Sequence, residues 1–193
     1  MKKKLLMTIT VIGLIFSFAN SILAQNRDFR NAAWGMSSSD VKGLESSNII
    51  EQDSNKLVYE CSLANIKGIL IYNFSIKNEL MGANYLLKPD YTNMNFYIRD
   101  YKMFRDLLTQ KYGNPISTTF NTSDRQSVTE SEWASFLSSG NLRLEMKWDT
   151  DKTQVMLTLS TIEGKPNIQI DYISKKYNRL DIQEKSNQLL RSL

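Results

Sequence analysis

The chain has 193 residues, with 24 Lys and Arg against 20 Asp and Glu, one cysteine and no histidine. Without histidine there is no Ser-His-Asp or Cys-His nucleophile activation and no imidazole base working near neutral pH. A single cysteine excludes an intramolecular disulfide and, with histidine absent, the common zinc ligand sets.

Lys2, Lys3 and Lys4 precede an apolar run from Leu5 to Ala19, and Asn20-Ser21-Ile22-Leu23-Ala24-Gln25 follow. A positive start, a short apolar stretch and a small residue at the cut read as a secretory signal over residues 1–24. The apolar run is shorter than the roughly 20 residues a spanning helix needs. Cleavage after Ala24 removes three lysines, so Lys and Arg fall from 24 to 21 against 20 acids and the net charge from +4 to +1. The pI near 9.0 is therefore largely a property of the signal, and no argument for nucleic-acid binding survives the subtraction. Gln25 stands where a lipoprotein carries cysteine. The expected product is periplasmic or secreted, has no stable membrane anchor, and forms one α+β domain over residues 25–193.

In Trp34-Gly35-Met36-Ser37-Ser38-Ser39-Asp40-Val41, Ser37 suits an N-cap and Asp40 the third helical position, a variant capping box. Met36 and Val41 have the spacing of a hydrophobic staple. A short helix to about Glu45 is predicted, with Val41 and Leu44 inward. Strands are predicted over 48–53, 57–65, 68–76 and 79–88. Leu57, Tyr59, Cys61 and Leu63 share one face, as do Leu70, Tyr72, Phe74 and Ile76. The clearest helix runs from about Asn95 to Tyr112, where Tyr97, Tyr101, Phe104, Leu108 and Tyr112 form one stripe. Gly113 stops it and Pro115 blocks its continuation.

The second half reads as β. Residues 128–137, with Trp133, are predicted as a strand. Leu142, Leu144, Met146 and Trp148 alternate with charged residues, Asp149 to Lys152 turn, and Val155, Leu157 and Leu159 form the next inward row. Glu163 to Pro166 turn again before Ile168, Ile170 and Tyr172. A short helix from Asp181 to Leu193 is predicted over Ile182, Leu189 and Leu193. Both halves thus read as a helix packed on a meandering antiparallel sheet. Their closing segments look similar, Asn84-Tyr85-Leu86-Leu87-Lys88 against Asp171-Tyr172-Ile173-Ser174-Lys175. That suggests a tandem duplication over about 34–90 and 93–175.

Phe29-Arg30, Trp34-Gly35-Met36-Ser37 and Asp40-Val41 resemble the opening of small, largely uncharacterised exported proteins of gut-type and related bacteria. Tyr112-Gly113-Asn114-Pro115 is similar to a second mark of that group. The layout is similar to the β-lactamase inhibitor protein and to small lipoproteins of the outer-membrane assembly machinery. This resemblance implies a protein that grips other proteins, and it implies no catalytic residues.

The residues that invite a sharper chemistry have simpler readings. The Trp34–Val41 motif reads as a helix start before a binding loop, and Cys61 as a small buried hydrophobe before a reactive thiol. Asp149-x-Asp151 lacks the further oxygens and the glycine of a calcium loop. Glu130 and Glu132 share a strand face, whereas glycosidases place their carboxylates across a cleft. No catalytic, cofactor-binding or metal-binding residue is assigned, and no cofactor is expected. The function read from the sequence is a non-enzymatic exported binding or accessory protein. Its concave sheet face or hairpin loops would contact another envelope or secreted protein. The alternative is a binder of a small apolar or glycan ligand between sheet and helix, in a pocket lined by Tyr72, Phe74, Tyr101 or Phe104.

Overall fold

The computed structural model describes residues 27–122 and 128–192, so the signal reading lies outside the described residues. The elements are α1 (Ser38–Leu44), β1 (Ile49–Gln52), β2 (Lys56–Leu63), β3 (Ile66–Phe74), β4 (Leu80–Leu87), α2 (Met94–Tyr112), β5 (Ser117–Thr122), a 3-10 turn (Glu130–Glu132), α3 (Trp133–Ser138), β6 (Leu142–Asp149), β7 (Thr153–Ile162), β8 (Lys165–Ser174) and α4 (Lys175–Ser192). The fold is α+β. One eight-stranded sheet has the order β1-β2-β3-β4-β8-β7-β6-β5, antiparallel at every pair. Each run of four consecutive strands is a meander, and the two meanders join through β4 and β8 into one continuous sheet.

The turns explain how the meanders are made. Ala64 and Asn65, between β2 and β3, have φ of 50° and 63°, and Glu163 and Gly164, between β7 and β8, have 51° and 76°. Two consecutive residues with positive φ are the backbone of the two-residue hairpin loop whose twist matches its strands.

Register sorts the strand side chains into two faces. On one face the row Tyr59, Leu70, Tyr85, Ile170, Leu157 and Met146 crosses six strands. A second row runs Leu57, Tyr72, Ala83, Tyr172, Val155 and Trp148. Val41 of α1, Tyr97, Ile98, Tyr101, Phe104 and Leu108 of α2, and Trp133 and Leu137 of α3 complete this core. Leu70, Leu80, Leu87, Leu144, Leu157, Leu159 and Ile168 have no exposed surface. Truncating any one of them to alanine would cost about 2–5 kcal/mol.

The opposite face carries the rows Val58, Ile71, Asn84, Asp171, Met156, Lys147 and Ile69, Leu86, Gln169, Thr158, Glu145. Ile69, Ile71, Leu86, Met156 and Ile173 are only half-buried there. The core residues of α1, α2 and α3 all belong to the other face.

Several expectations need correction. Residues 128–137 are not a strand: Thr129 and Glu132 form a capping box that opens the 3-10 turn and then α3. The strand of that region is β5, earlier in the chain. Leu44, the last residue of α1, points out and is 44% exposed. Ile76 lies past the end of β3 and is 40% exposed. The C-terminal helix is not short. It starts at Lys175 and spans 18 residues, with Ile182 and Leu189 exposed and Asp181 buried instead. Leu193 lies outside the described residues. Among the described residues no helix is long and apolar enough to cross a membrane.

Candidate binding site

The Trp34 motif ties four elements together. The Trp34 backbone N–H donates to Asp28 Oδ2 at 2.9 Å, and its indole Nε1 donates to Thr153 Oγ1 at 2.8 Å. The Gly35 N–H donates to Leu80 O at 2.9 Å, and the Leu80 N–H to Met36 O at 2.8 Å, so the motif is laced to the start of β4. The Ser37–Asp40 capping box then starts α1. Gly35 has φ of +89°, and a Cβ placed on it would sit 2.3 Å from the Tyr177 ring of α4. Only glycine lets that ring lie on the chain here.

Beside the motif lies a half-open cleft of about 510 Å³. Ala33, Trp34 and Tyr177 form its apolar wall. Lys152, Lys175, Lys176 and Arg179 line it with Asp28 and Asp151. Lys175 Nζ is 2.6 Å from Asp149 Oδ2, and Lys152 Nζ is 3.6 Å from Asp28 Oδ1.

A second polar centre sits under α1. The Glu45 side chain is 3% exposed and surrounded by donors. Arg30 Nη2, Ser47 Oγ and the Ser46 and Ser47 backbone amides donate to Oε1. Tyr72 OH donates to Oε2 at 2.8 Å, and Arg30 Nε lies 3.1 Å from the same oxygen. Burial opposes the charge of Glu45. Hydrogen bonds from Tyr72 and Ser47, with the Arg30 charge, outweigh it and hold its pKa below the usual carboxylate value. Burial first, then the bond to Glu45, pushes the Tyr72 phenol up. The half-buried Cys61 thiol is also raised, chiefly by burial. A thiol shifted that way is not an activated nucleophile. The centre fixes α1 on the sheet, and its Arg30, Glu45, Ser47 and Tyr72 side chains are all engaged with one another.

The other residues singled out in the sequence are dispersed. Glu130 pairs with Lys102, while Glu132 Oε2 accepts from the Thr129 N–H at 2.8 Å and from its hydroxyl at 2.7 Å. Tyr72, Phe74, Tyr101 and Phe104 are each 1–3% exposed and fill the space between sheet and helix. Among the described residues there is no group of three or more His, Cys, Asp or Glu that could hold a metal ion.

What sequence reasoning missed is the centre of the opposite sheet face. Gly82 has no side chain to cover the sheet there; a Cβ would come within 3.1 Å of Tyr172 O. A recess of about 200 Å³ results, lined by Asn73, Gly82, Asn84, Asp171, Ile173 and, from α4, Asn178. Asn73 Nδ2 donates to Asn84 Oδ1 at 3.1 Å. Asp171 Oδ1 accepts from Gln169 Nε2 at 2.7 Å, but its Oδ2 is buried without a hydrogen-bond partner. Burial raises the Asp171 pKa, and Gln169 and Arg143 offset this only in part. The one sequence signal for this site was the internal match that paired Asn84 with Asp171. Comparison with protein-family models, curated proteins and solved structures finds no match to this chain.

Proposed function

We propose that this is an exported binding protein, without catalysis of its own, that contacts another envelope or secreted protein through the sheet face opposite α1–α3. The observation that carries the reading is that face, which α1–α3 leave uncovered and where Ile69, Ile71, Leu86, Met156 and Ile173 stand half-buried, Ile173 and, from α4, Asn178 lining the recess at Asp171. Seven inter-strand spacings of about 4.8 Å and strands of about 25 Å give it roughly 850 Å². That is close to the roughly 800 Å² each partner buries in a standard protein–protein interface. Its mix of aliphatic side chains with Asn73, Asn84 and Asp171 suits a non-obligate interface, which is about as apolar as ordinary surface.

We also read the two meanders as a tandem repeat over about 34–90 and 93–175. In its favour, the matched residues Asn84 and Asp171 are register partners on β4 and β8. A two-fold axis relating the meanders would pass through that pair.

The test is recovery of partners from envelope extract by the mature chain, beside Ile71→Arg and Leu86→Arg variants with matched melting midpoints. A protein held by the parent and lost by both variants is the expected result. No specific protein recovered, or equal recovery by the variants, refutes the open-face reading. N-terminal sequencing of the exported protein should begin at Gln25; a start within the apolar run or an uncut form refutes the export reading.

A further inference from the structure

We infer that the cleft between the Trp34 loop and α4 binds a small organic anion, an aromatic carboxylate whose flat body lies on Tyr177 beside the small exposed part of Trp34 and whose carboxylate faces Arg179. The cleft is distinct from the open sheet face, and its volume of about 510 Å³ falls in the ordinary range for small-molecule sites. Four cations, Lys152, Lys175, Lys176 and Arg179, line it with two acids, Asp28 and Asp151, and with Asp149 held on Lys175 the local excess is one positive charge.

Most of these groups are already engaged. Lys175 is held by Asp149 at 2.6 Å, and Lys152 sits at 3.6 Å from Asp28, whose other oxygen accepts from the Trp34 N–H. Lys176 Nζ lies 4.7 Å from the centre of the Tyr177 ring. Arg179 has no ion pair or hydrogen bond among the described residues. A guanidinium presents its donors as a rigid fork that matches a carboxylate bidentately, where an ammonium offers only a point charge. Lys152, with its long contact to Asp28, is the second cation able to turn toward a ligand. The aromatic wall sets the other half of the specificity. Trp34, 8% exposed and pinned by Thr153, closes one side of the wall, and Tyr177 is held by its fit over Gly35, so that ring is preorganised and loses little freedom when a flat group stacks on it. A bare inorganic anion leaves that wall unused, and a neutral aromatic leaves Arg179 unmet.

The experiment titrates the mature chain with benzoate, its neutral isostere benzamide, and inorganic phosphate. The readouts are the Trp34 indole N–H and the backbone amides of Tyr177 and Arg179 by two-dimensional NMR. Saturable shifts of all three with benzoate are expected, with much weaker response to benzamide and phosphate. Arg179→Gln should weaken benzoate binding about tenfold, the loss of one charge-assisted contact, with an unchanged melting midpoint. Lys152→Gln, on a different segment, should weaken it by a smaller factor. Four outcomes each overturn the assignment: no saturable shift with benzoate, an equal response to benzamide, an equal response to phosphate, or unchanged affinity in both variants.

Discussion

Alanine in place of Gly35 tests whether the Trp34 motif holds the C-terminal helix in place. Two costs are expected, and they separate. The first is local: φ at Gly35 is +89°, and a residue with a Cβ in left-handed territory costs about 1–2 kcal/mol. The second is at a distance: the new Cβ would sit 2.3 Å from Cζ and Oη of Tyr177, so the ring must leave. Removing a fully buried aromatic costs about 3–5 kcal/mol; for the half-buried Tyr177 about 2 kcal/mol is reasonable on that scale. Gly35→Ala alone should therefore lose about 3–4 kcal/mol, near 10 °C in melting temperature for a chain of this size. In a Tyr177→Ala background the steric part is gone, and the same substitution should lose only about 1–2 kcal/mol. Urea titrations of the four proteins give the coupling. Hydrogen exchange should show the first turns of α4 loosened in Gly35→Ala. Equal costs in both backgrounds would mean that Tyr177 does not rest on Gly35, and the reasoning would fail.

Trp34→Ala should destabilise by about 3–5 kcal/mol. Trp34→Phe, which keeps the ring but loses the bond to Thr153, should lose about 1 kcal/mol beyond any repacking; a midpoint unchanged by Trp34→Ala would show that the motif is no part of the core. The folded-state pKa of Asp171 is raised, so its ionisation works against folding as pH rises through that value. Asp171→Asn should add about 1 kcal/mol at pH 7, with the gain fading below about pH 4, and a pH-independent gain in denaturant midpoints would contradict this. Glu45 is the opposite case, because its pKa is lowered. Its contribution is complete above the ordinary carboxylate value and falls away as pH drops through the folded one. Glu45→Ala, which strands Arg30 and Tyr72, should therefore cost about 2–3 kcal/mol at neutral pH and less in acid, as read from denaturation at a series of pH values.

The elements legible in the sequence are those whose burial is one-sided and regular. β2, β3, β4, β6, β7 and β8 each carry a period-two row of large side chains into the core, and α2 carries an unbroken stripe ended by Gly113, so these elements stand close to where they are expected. β5 escaped because Ser117-Thr118-Thr119-Phe120-Asn121-Thr122 is an edge strand with a single large apolar residue, itself 48% exposed. The strand expected around Trp133 failed for a local reason. Thr129-Glu130-Ser131-Glu132 is a capping sequence ahead of an apolar run, and its two mutual bonds to Thr129 decide for a helical turn. The first half of α4 follows β8 without a loop, and its inward position is taken by Asp181. That residue accepts from the Ile76 N–H at 3.0 Å, so no apolar periodicity announced the helix. The cleft was equally hidden, since Trp34, Lys152 and Arg179 come from three separate segments.

The acidic residues of the folded chain divide by how they are treated, and that division bears on where binding happens. Glu45 has donors on both oxygens. Asp100 is 4% exposed, and accepts from Tyr91 OH at 2.7 Å and from Arg99. Asp181, equally buried, is met by the Ile76 N–H and by Lys185 at 2.6 Å. Each of these carboxylates joins two elements or two turns and is compensated for its burial, as a purely structural group must be. Asp171 joins nothing beyond its own strand: Gln169 lies two residues away, and Oδ2 is left without a donor. A fold built only for stability would place an apolar or amide side chain there, in line with Met156 and Asn84. An acceptor kept short of donors costs the free protein, and because Oδ2 is buried, an outside donor meets it only once the Asp171 side chain turns into the recess beside it, on the face that α1–α3 leave uncovered. That asymmetry points to the sheet face, and not to the better-populated Arg30–Glu45 centre, as the surface with something to gain from a partner.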